Sequence, residues 1–266
     1  MSSTPTSVEN LVATLRAAGC VFAEEEAELL LAAAAEGADL AALVARRVAG
    51  QPLEHVVGWA EFCGLRMAVG EGAFVPRRRS EFLVREAVAR GRSGAVVLDL
   101  CCGVGAVGAA VAARLGGRGG RVELHAADID PAALSYAVRN VAAYGGRVYA
   151  GDLYGPLPGA LMGRIDVLVA NAPYVPTEEI GLLPPEAREH EPLTSLDGGA
   201  DGVAVQRRVA AGALPWLAPG GRLLIETSDR QAPWTTEALT RAGFGEVEVV
   251  SSEELDATVV IGTAAS

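Results

Sequence analysis

The sequence contains no lysine, so all 22 of its basic residues are arginine. The 33 acidic residues outnumber them and give a formal net charge of −11 at pH 7. A chain of that charge repels a phosphate backbone, so broad, sequence-independent binding to nucleic acid is not expected. Because arginine can replace lysine on most solvated faces, we attribute the missing lysine to a compositional bias rather than to function.

Cysteines and long apolar runs are also scarce. The four cysteines show neither Cys-x-x-Cys spacing nor a cluster with histidine, which argues against a zinc site and a disulfide framework. The longest strongly apolar run, residues 29–35, is far shorter than the roughly 20 residues of a membrane span. Residues 1–9 lack the features of a secretory signal. We therefore expect no metal, no membrane association and a cytoplasmic location.

Half of the 266 residues are hydrophobic and 21% are charged, which is typical of a globular protein. The first fifty residues show helical periodicity, and the alternation over 59–69 around Gly64 predicts a β-hairpin. From about Ser80, apolar strand candidates alternate with helical stretches, which predicts a doubly wound, mostly parallel sheet. The strand candidates are residues 95–98, 122–127, 147–150, 165–170 and 222–225, and the helical stretches are 106–115, 132–143 and 203–214.

A glycine-rich turn follows the first of these strands. Gly103 and Gly105 allow the backbone to approach a ligand closely, and Gly108 allows the helix to pack on its strand. Asp128 follows 20 residues after Gly108, at the end of the next strand, where a carboxylate accepts from ribose hydroxyls in NAD and S-adenosylmethionine alike. Asp99, just before the turn, would repel a pyrophosphate but not a cationic amino acid. The pattern favours S-adenosylmethionine.

Two of these acids also have plain structural interpretations. Asp99 could cap backbone amides of the loop without touching a ligand. Asp152 follows the third strand, where it could accept from the exocyclic amine of adenine or serve as a turn residue after Gly151.

The sequence Asn171-Ala172-Pro173-Tyr174 follows a buried strand, at the edge where open α/β sheets bind ligands. An amide nitrogen is a poor nucleophile. A site that accepts its two N–H groups, at the Asn171 side-chain oxygen and the Ala172 carbonyl, would orient it and support its developing positive charge. Tyr174 could stack on the planar group, and Pro173 restricts Ala172 to extended conformations. A polar proline turn without function is the alternative.

These motifs, in this order, resemble the protein-(glutamine-N5) methyltransferases, which methylate the Gly-Gly-Gln glutamine of peptide-chain release factors. The resemblance covers nearly the whole chain. It rests on Gly50-Gln51-Pro52-Leu53, on Gly58 through Gly70, on Phe74-Val75-Pro76-Arg77 with Glu81, on Asp99-x-x-x-Gly103-x-Gly105, on Asp128, on Asn171-x-Pro173-Tyr174, on His190-Glu191-Pro192, on residues 196–202 and on Pro219-Gly220-Gly221.

The resemblance implies a class I methyltransferase with a mostly parallel, seven-stranded, Rossmann-like sheet at residues 80–266, a helical substrate-binding domain at 1–57 and a hairpin linker at 58–79. It implies S-adenosylmethionine as cofactor and a protein substrate, either a release factor or another glutamine-bearing protein. We also expect a monomer. The predicted catalytic residues are Asn171, Ala172, Pro173 and Tyr174. The predicted cofactor-binding residues are Arg77, Asp99, Cys102, Gly103, Gly105, Asp128, Asp152 and Asn171.

Three departures from the family pattern stand out. Ala172 occupies the place of a proline, Cys101-Cys102 replace Gly-Thr, and Arg78-Arg79-Ser80 replace Pro-x-Thr. They are consistent with a diverged member of the family and leave open whether its acceptor is a release factor or another protein.

The alternatives to methylation of a protein glutamine are methylation of an exocyclic amine in a nucleic-acid base or small molecule, an NAD-dependent oxidoreductase, and a non-catalytic binding module. Arg77 is expected to meet a substrate acid or the cofactor carboxylate, unless the arginine run is a solvated face. His190 and Glu191 are interpreted as closing a loop over the cleft.

Overall fold

The computed structural model describes residues 8–117 and 121–265 of the chain. Residues 1–7 of the predicted helical domain and Ser266 lie outside this range. Within the described residues, no helix is both long enough and apolar enough to cross a membrane.

The N-terminal part is helical, as the periodicity predicts. Its small core contains Leu11, Leu15 and Leu30. Asp39 caps the third helix, because its Oδ1 accepts from the backbone N–H of Ala41 at 2.9 Å. The sequence did not predict the short fourth helix. The four helices are α1 (Val8–Ala17), α2 (Ala23–Ala35), α3 (Leu40–Val48) and α4 (Leu53–Val57).

A two-stranded antiparallel hairpin connects this part to the sheet. It consists of β1 (Trp59–Phe62) and β2 (Leu65–Ala68). Cys63 and Gly64 form its turn, and both have positive φ. The hairpin predicted around Gly64 is present.

The remaining strands of the described residues form one seven-stranded sheet. They are β3 (Val96–Leu100), β4 (Glu123–Asp128), β5 (Arg147–Ala150), β6 (Ile165–Ala170), β7 (Leu217–Thr227), β8 (Glu246–Ser252) and β9 (Ala257–Thr263). Their order in the sheet is β5-β4-β3-β6-β7-β9-β8. All neighbours are parallel except β9, which runs antiparallel to both β7 and β8. The mostly parallel seven-stranded sheet is therefore confirmed.

Helices cover both faces of the sheet. The helices that follow the hairpin in the described residues are α5 (Glu81–Arg90), α6 (Ala106–Leu115), α7 (Pro131–Ala142), α8 (Pro185–His190), α9 (Ala204–Ala213) and α10 (Ala232–Ala242). Three of them, α5, α6 and α7, pack with the hairpin on one face, and α9 and α10 pack on the other. The buried face of α6 consists largely of alanine, and at Gly108 the helix comes so near β3 that an added Cβ would lie 2.8 Å from Asp99 Cβ.

Candidate active site

A cavity of about 840 Å³ opens at the carboxyl ends of β3, β4 and β6. Strand β3 lies between β4 and β6, so the chain order reverses there, and open α/β sheets bind their ligands at such a point. Two segments that are far apart in sequence, the glycine loop and residues 171–174, meet in its lining. Every predicted site residue lines the cavity except Gly105. The lining residues predicted from the sequence are Arg77, Asp99, Cys102, Gly103, Asp128, Asp152, Asn171, Ala172, Pro173 and Tyr174.

Gly105 caps α6 on the side of the loop that faces α7. Its φ of 75° is left-handed, and a Cβ there would lie 3.0 Å from Val141 Cγ1. Because glycine alone adopts this conformation cheaply and leaves room for Val141, Gly105 packs the loop against α7.

Three backbone amides of the glycine loop are already bonded. Cys102 N–H donates to the Ala127 carbonyl at 3.1 Å, and Gly105 N–H donates to the Cys102 carbonyl at 2.7 Å. Gly103 N–H donates to Asp128 Oδ2, also at 2.7 Å. A dinucleotide pyrophosphate needs free amides here, and it would meet carboxylates instead. The loop geometry therefore fits a cationic cofactor better than NAD.

Asp99 is 1% exposed, and its Oδ2 accepts from Gly108 N–H at 2.7 Å. Burial raises the pKa of this carboxyl to about 7, against the lowering effect of the Gly108 N–H, and the Asp128 charge adds to the rise. A Cβ on Gly108 would lie only 2.8 Å from Asp99 Cβ. The structure thus shows the capping contact that the sequence left as an alternative, while the side chain still reaches the cavity wall.

Asp128, the last residue of β4, binds two backbone amides. Besides Gly103, it accepts from Asp130 N–H through Oδ1 at 2.9 Å. Burial raises its pKa, and these backbone N–H groups oppose the rise. Each carboxylate oxygen keeps a second lone pair for a ligand hydroxyl. At the mouth of the cavity, the exposed Asp152 pairs with Arg208 at 2.6 Å.

The Cys101–Cys102 pair occupies the turn between Leu100 and Gly103. Cys101 has a φ of 57°, a strained conformation for a residue with a side chain, at the place where the related family has glycine. Burial raises the pKa of both thiols, and nearby aspartates add to the effect. Neither thiol is poised to act as a nucleophile.

Asn171 follows β6 directly, and Ser80 fixes its side chain. Its Nδ2 donates to Ser80 Oγ at 3.0 Å, and Ser80 is 2% exposed. Among the described residues, none donates a hydrogen bond to Asn171 Oδ1. The side chain therefore offers its oxygen as a free acceptor, beside the buried Ala172 at the cavity wall.

Tyr174 has polar contacts at its backbone carbonyl and at its side-chain hydroxyl. Its backbone carbonyl accepts from Gln231 Nε2 at 2.7 Å, and its hydroxyl lies 3.4 Å from Arg79 Nη1. Burial raises the pKa of this phenol, and the charge of Glu226 adds to the rise. The phenol therefore stays neutral, with its ring available for stacking.

Glu191 lies at the rim of the cavity, whereas His190, which the sequence analysis groups with it, does not line the cavity. The buried carboxylate of Glu191 accepts from Val75 N–H at 3.0 Å and pairs with Arg77 Nη2 at 2.6 Å. Arg77 also lies over the ring of Phe74. The charge of Arg77 is therefore compensated by a residue of the rim.

The helical part contacts the same rim. Arg47 of α3 pairs with Glu26 of α2 at 2.6 Å and with Glu186 of α8 at 2.5 Å. Pro52 and Glu54 line the cavity together with Glu186. This part therefore contributes directly to the site.

Sequence reasoning missed four residues that support the site. Asn140 of α7 joins the hairpin to the glycine loop, since its Nδ2 donates to the carbonyls of Ala68 and Val104. The others are Ser80, Gln231 and the buried Glu226. Only Glu226 had a readable signal, because a lone acid directly follows the apolar strand 222–225.

The described residues include no group of three or more histidine, cysteine, aspartate or glutamate side chains that could hold a metal ion.

The fold and its cavity define a class I, S-adenosylmethionine-dependent methyltransferase. Residues 78–182 match the family model described as "Methyltransferase small domain". Among solved structures, a methyltransferase from Pyrococcus furiosus superposes with a TM-score of 0.56 over 76% of this chain and 90% of that one. At 18% identity this likeness supports the fold alone.

Sequence relatives define the family more closely. The release factor glutamine methyltransferase of Mycolicibacterium smegmatis is 39% identical over 262 residues, 91% of each chain. That of Geobacter sulfurreducens is 37% identical over 204 residues, 76% of this chain and 69% of the relative. The chain belongs to the release factor glutamine methyltransferase family. The predicted family, the methyltransferase activity and the cofactor are thus confirmed.

Proposed function

We propose that this protein transfers a methyl group to the side-chain amide nitrogen of a glutamine in a peptide-chain release factor. The observation that carries the proposal is the fixed Asn171 side chain. Its Nδ2 is bonded to Ser80, so its oxygen is left to accept from an incoming N–H group. The names of the relatives support a release factor as acceptor.

The acceptor site compensates for the low nucleophilicity of an amide nitrogen. Two acceptors, Asn171 Oδ1 and the Ala172 carbonyl, take the two N–H groups and hold the nitrogen in one orientation. As the nitrogen becomes positively charged, both acceptors and the face of the Tyr174 ring stabilise it. The extra proton leaves to water, so no general base is needed.

S-adenosylmethionine, when bound, supplies a methyl carbon made electrophilic by its sulfonium. Gly103 leaves space for it, because a Cβ there would meet nothing within 4 Å. We propose that Asp128 binds its ribose, Asp152 its adenine, and the loop around Cys102 its amino acid end. Asp99 fixes that loop through Gly108. Arg77 keeps the rim closed through Glu191 rather than binding the cofactor.

We further propose that residues 1–57 and the linker 58–79 help to bind the protein substrate, and that residues 80–266 carry the chemistry. The lining residues Pro52 and Glu54 support this division. The net charge of −11 supports a protein rather than a nucleic acid as acceptor. We keep a monomeric, cytoplasmic enzyme as a prediction.

The test is incubation of the full chain with labelled S-adenosylmethionine and a release factor from the same source, followed by peptide mass spectrometry. We expect one added methyl group on the Gly-Gly-Gln glutamine. A release factor with that glutamine replaced by glutamate, which lacks the amide nitrogen, is the matched control and should stay unlabelled. Label in nucleic acid or in a small metabolite, with none in the release factor, would refute the proposal.

A further inference from the structure

Glu226, on β7, is a buried acid without a hydrogen-bond partner. It is 2% exposed, and among the described residues no group forms a hydrogen bond with Oε1 or Oε2. Buried polar groups are nearly always bonded, and each exception calls for an explanation. Burial raises the pKa of this carboxyl to about 7, and Ser80 and Arg79 oppose the rise.

The position of Glu226 links it to the acceptor site. Ala170 of β6 pairs with Ile225 of β7, so Asn171 and Glu226 are the next residues on adjacent parallel strands. Ser80 interacts with both of these residues. Its Oγ accepts from Asn171 Nδ2, and its hydroxyl lowers the pKa of Glu226, although it does not reach hydrogen-bond geometry with the carboxyl.

A serine hydroxyl has one hydrogen and two lone pairs. When its hydrogen points to Glu226, its oxygen is left to accept from Asn171 Nδ2, and Asn171 Oδ1 faces the acceptor. Without an acceptor at 226, the hydroxyl hydrogen can turn to Asn171 instead. The asparagine amide then reverses and places its own N–H groups against those of the glutamine.

We propose that Glu226 is a positioning residue: through Ser80 it determines which end of the Asn171 side-chain amide faces the methyl acceptor. This inference rests on the proposed function of Asn171. Two other charged or titratable groups interact electrostatically with Glu226, namely Arg79 and Tyr174, and these two contact each other.

The kinetic test is a double-mutant cycle with Glu226→Leu, Ser80→Ala and the double variant. Each single change should lower kcat on the order of 10-fold, with the Kd of S-adenosylhomocysteine and the KM for the protein acceptor within about twofold. Because both residues act through one hydroxyl, the double variant should be no slower than the slower single variant. Glu226→Gln keeps a carbonyl acceptor and should stay within about threefold of the wild-type kcat.

His125→Phe is the matched control for a purely structural effect. His125 is fully buried on β4 and bonds to Tyr149 and Glu123, so its loss disturbs a buried polar group without touching Asn171 or Ser80. We expect lower stability with kcat within about twofold of wild type. Multiplicative losses in the cycle, a Glu226→Gln variant as slow as Glu226→Leu, or an equal loss in His125→Phe would each overturn the proposal.

A crystal structure of Glu226→Leu provides a readout that needs no turnover. We expect Asn171 reversed or detached from Ser80, judged from its hydrogen-bond partners. An Asn171 that still donates to Ser80 as in the wild type refutes the positioning role. If the wild-type protein methylates no glutamine, the proposed function fails, whereas this structure still decides the role of Glu226.

Discussion

The two halves of the cavity treat their buried acids in opposite ways. In the cofactor half, the buried Asp99 accepts from a backbone N–H of α6, and the partly buried Asp128 accepts from two backbone N–H groups of the neighbouring loops. In the acceptor half, Glu226 is as buried as Asp99 but has no such bond, and the pKa of its carboxyl is lowered only by the side chains of Ser80 and Arg79. Backbone N–H groups fix the acids of the cofactor half, whereas only side chains act on the acid of the acceptor half.

The two halves should therefore respond differently when a side chain is substituted. Backbone amides stay in place when a side chain is substituted, so damage in the cofactor half should appear as weaker binding. Side chains that orient one another fail together, so damage in the acceptor half should appear in the rate of transfer.

The largest expected effect is that of Asn171→Ala. It removes one of two acceptors for the glutamine N–H groups, and kcat should fall on the order of 100- to 1,000-fold. The Kd of S-adenosylhomocysteine, measured by calorimetry, should change by less than about threefold, because we assign the side chain to the acceptor half. The exposed Arg78→Ala is the control and should match wild type. If the variant has a normal kcat and much weaker cofactor binding, Asn171 belongs to the cofactor half instead.

The second prediction concerns the free energy of unfolding as a function of pH. The pKa of Glu226 is raised from about 4.5 in the unfolded chain to about 7 in the folded protein. Its contribution is therefore fully present below about pH 4.5 and is lost as the pH rises through about 7. Glu226→Gln does not titrate, so between pH 5 and 8 it should lose about 2–3 kcal/mol less than wild type in urea unfolding.

Asp99 acts in the same direction, since its pKa is also raised to about 7, so Glu226→Gln should keep part of the pH dependence. The exposed Glu254→Gln is the matched control and should follow the wild-type curve. Parallel curves for Glu226→Gln and wild type would mean that the carboxyl titrates alike in the folded and unfolded states.

Asp128→Asn should weaken S-adenosylhomocysteine binding about 10- to 100-fold. The change keeps one oxygen acceptor but loses the charge that strengthens the bonds from Gly103 N–H and a ribose hydroxyl. At saturating cofactor, kcat should stay within about threefold. Asp39→Asn is the matched control, because Asp39 also accepts a backbone N–H, lies outside the cavity, and asparagine caps helices equally well. A fall in kcat with unchanged Kd would contradict the division into halves.

The same division explains how much could be predicted from the sequence. The glycine loop and Asp128 lie within about 30 residues and follow a spacing rule, so the strand, the turn and the position of Asp128 at the end of β4 were predicted correctly. Strands 147–150 and 165–170 and helix 106–115 have the predicted bounds. The contacts of Ser80 and Glu226 with the acceptor site join residues 91 and 55 positions from Asn171, and no local pattern encodes them.

The missed elements have a related cause. Strands β8 and β9 form an antiparallel edge, where β8 is largely exposed and β9 is almost wholly buried, so neither shows the alternation that marks a half-buried strand. Helix α4 is too short for helical periodicity. The spacing that marks Gly105 as a candidate cofactor residue cannot reveal that α7 packs behind it and that Gly105 does not line the cavity.

The smallest expected effect concerns the packing of α6 on β3, and it tests the cofactor half alone. Alanine at 108 would place its Cβ 2.8 Å from Asp99 Cβ and 3.0 Å from Asp99 Oδ2, in a buried site where neither can retreat freely. The expected cost of about 1–3 kcal/mol exceeds the gain of about 0.5–1 kcal/mol in helix propensity. Gly108→Ala should therefore lower the free energy of unfolding slightly and weaken cofactor binding, because Asp99 and the loop shift together.

Gly117→Ala tests whether that result reflects the contact with Asp99. A Cβ at the exposed Gly117 would meet only the carbonyls of Arg114 and Ala113, at 3.5 and 3.7 Å, which are ordinary contacts. Urea unfolding should place this variant within about 0.5 kcal/mol of wild type, with unchanged cofactor binding. If Gly108→Ala proves as harmless, the loop does not depend on close packing of α6 against Asp99, and its backbone bonds alone hold the cofactor half.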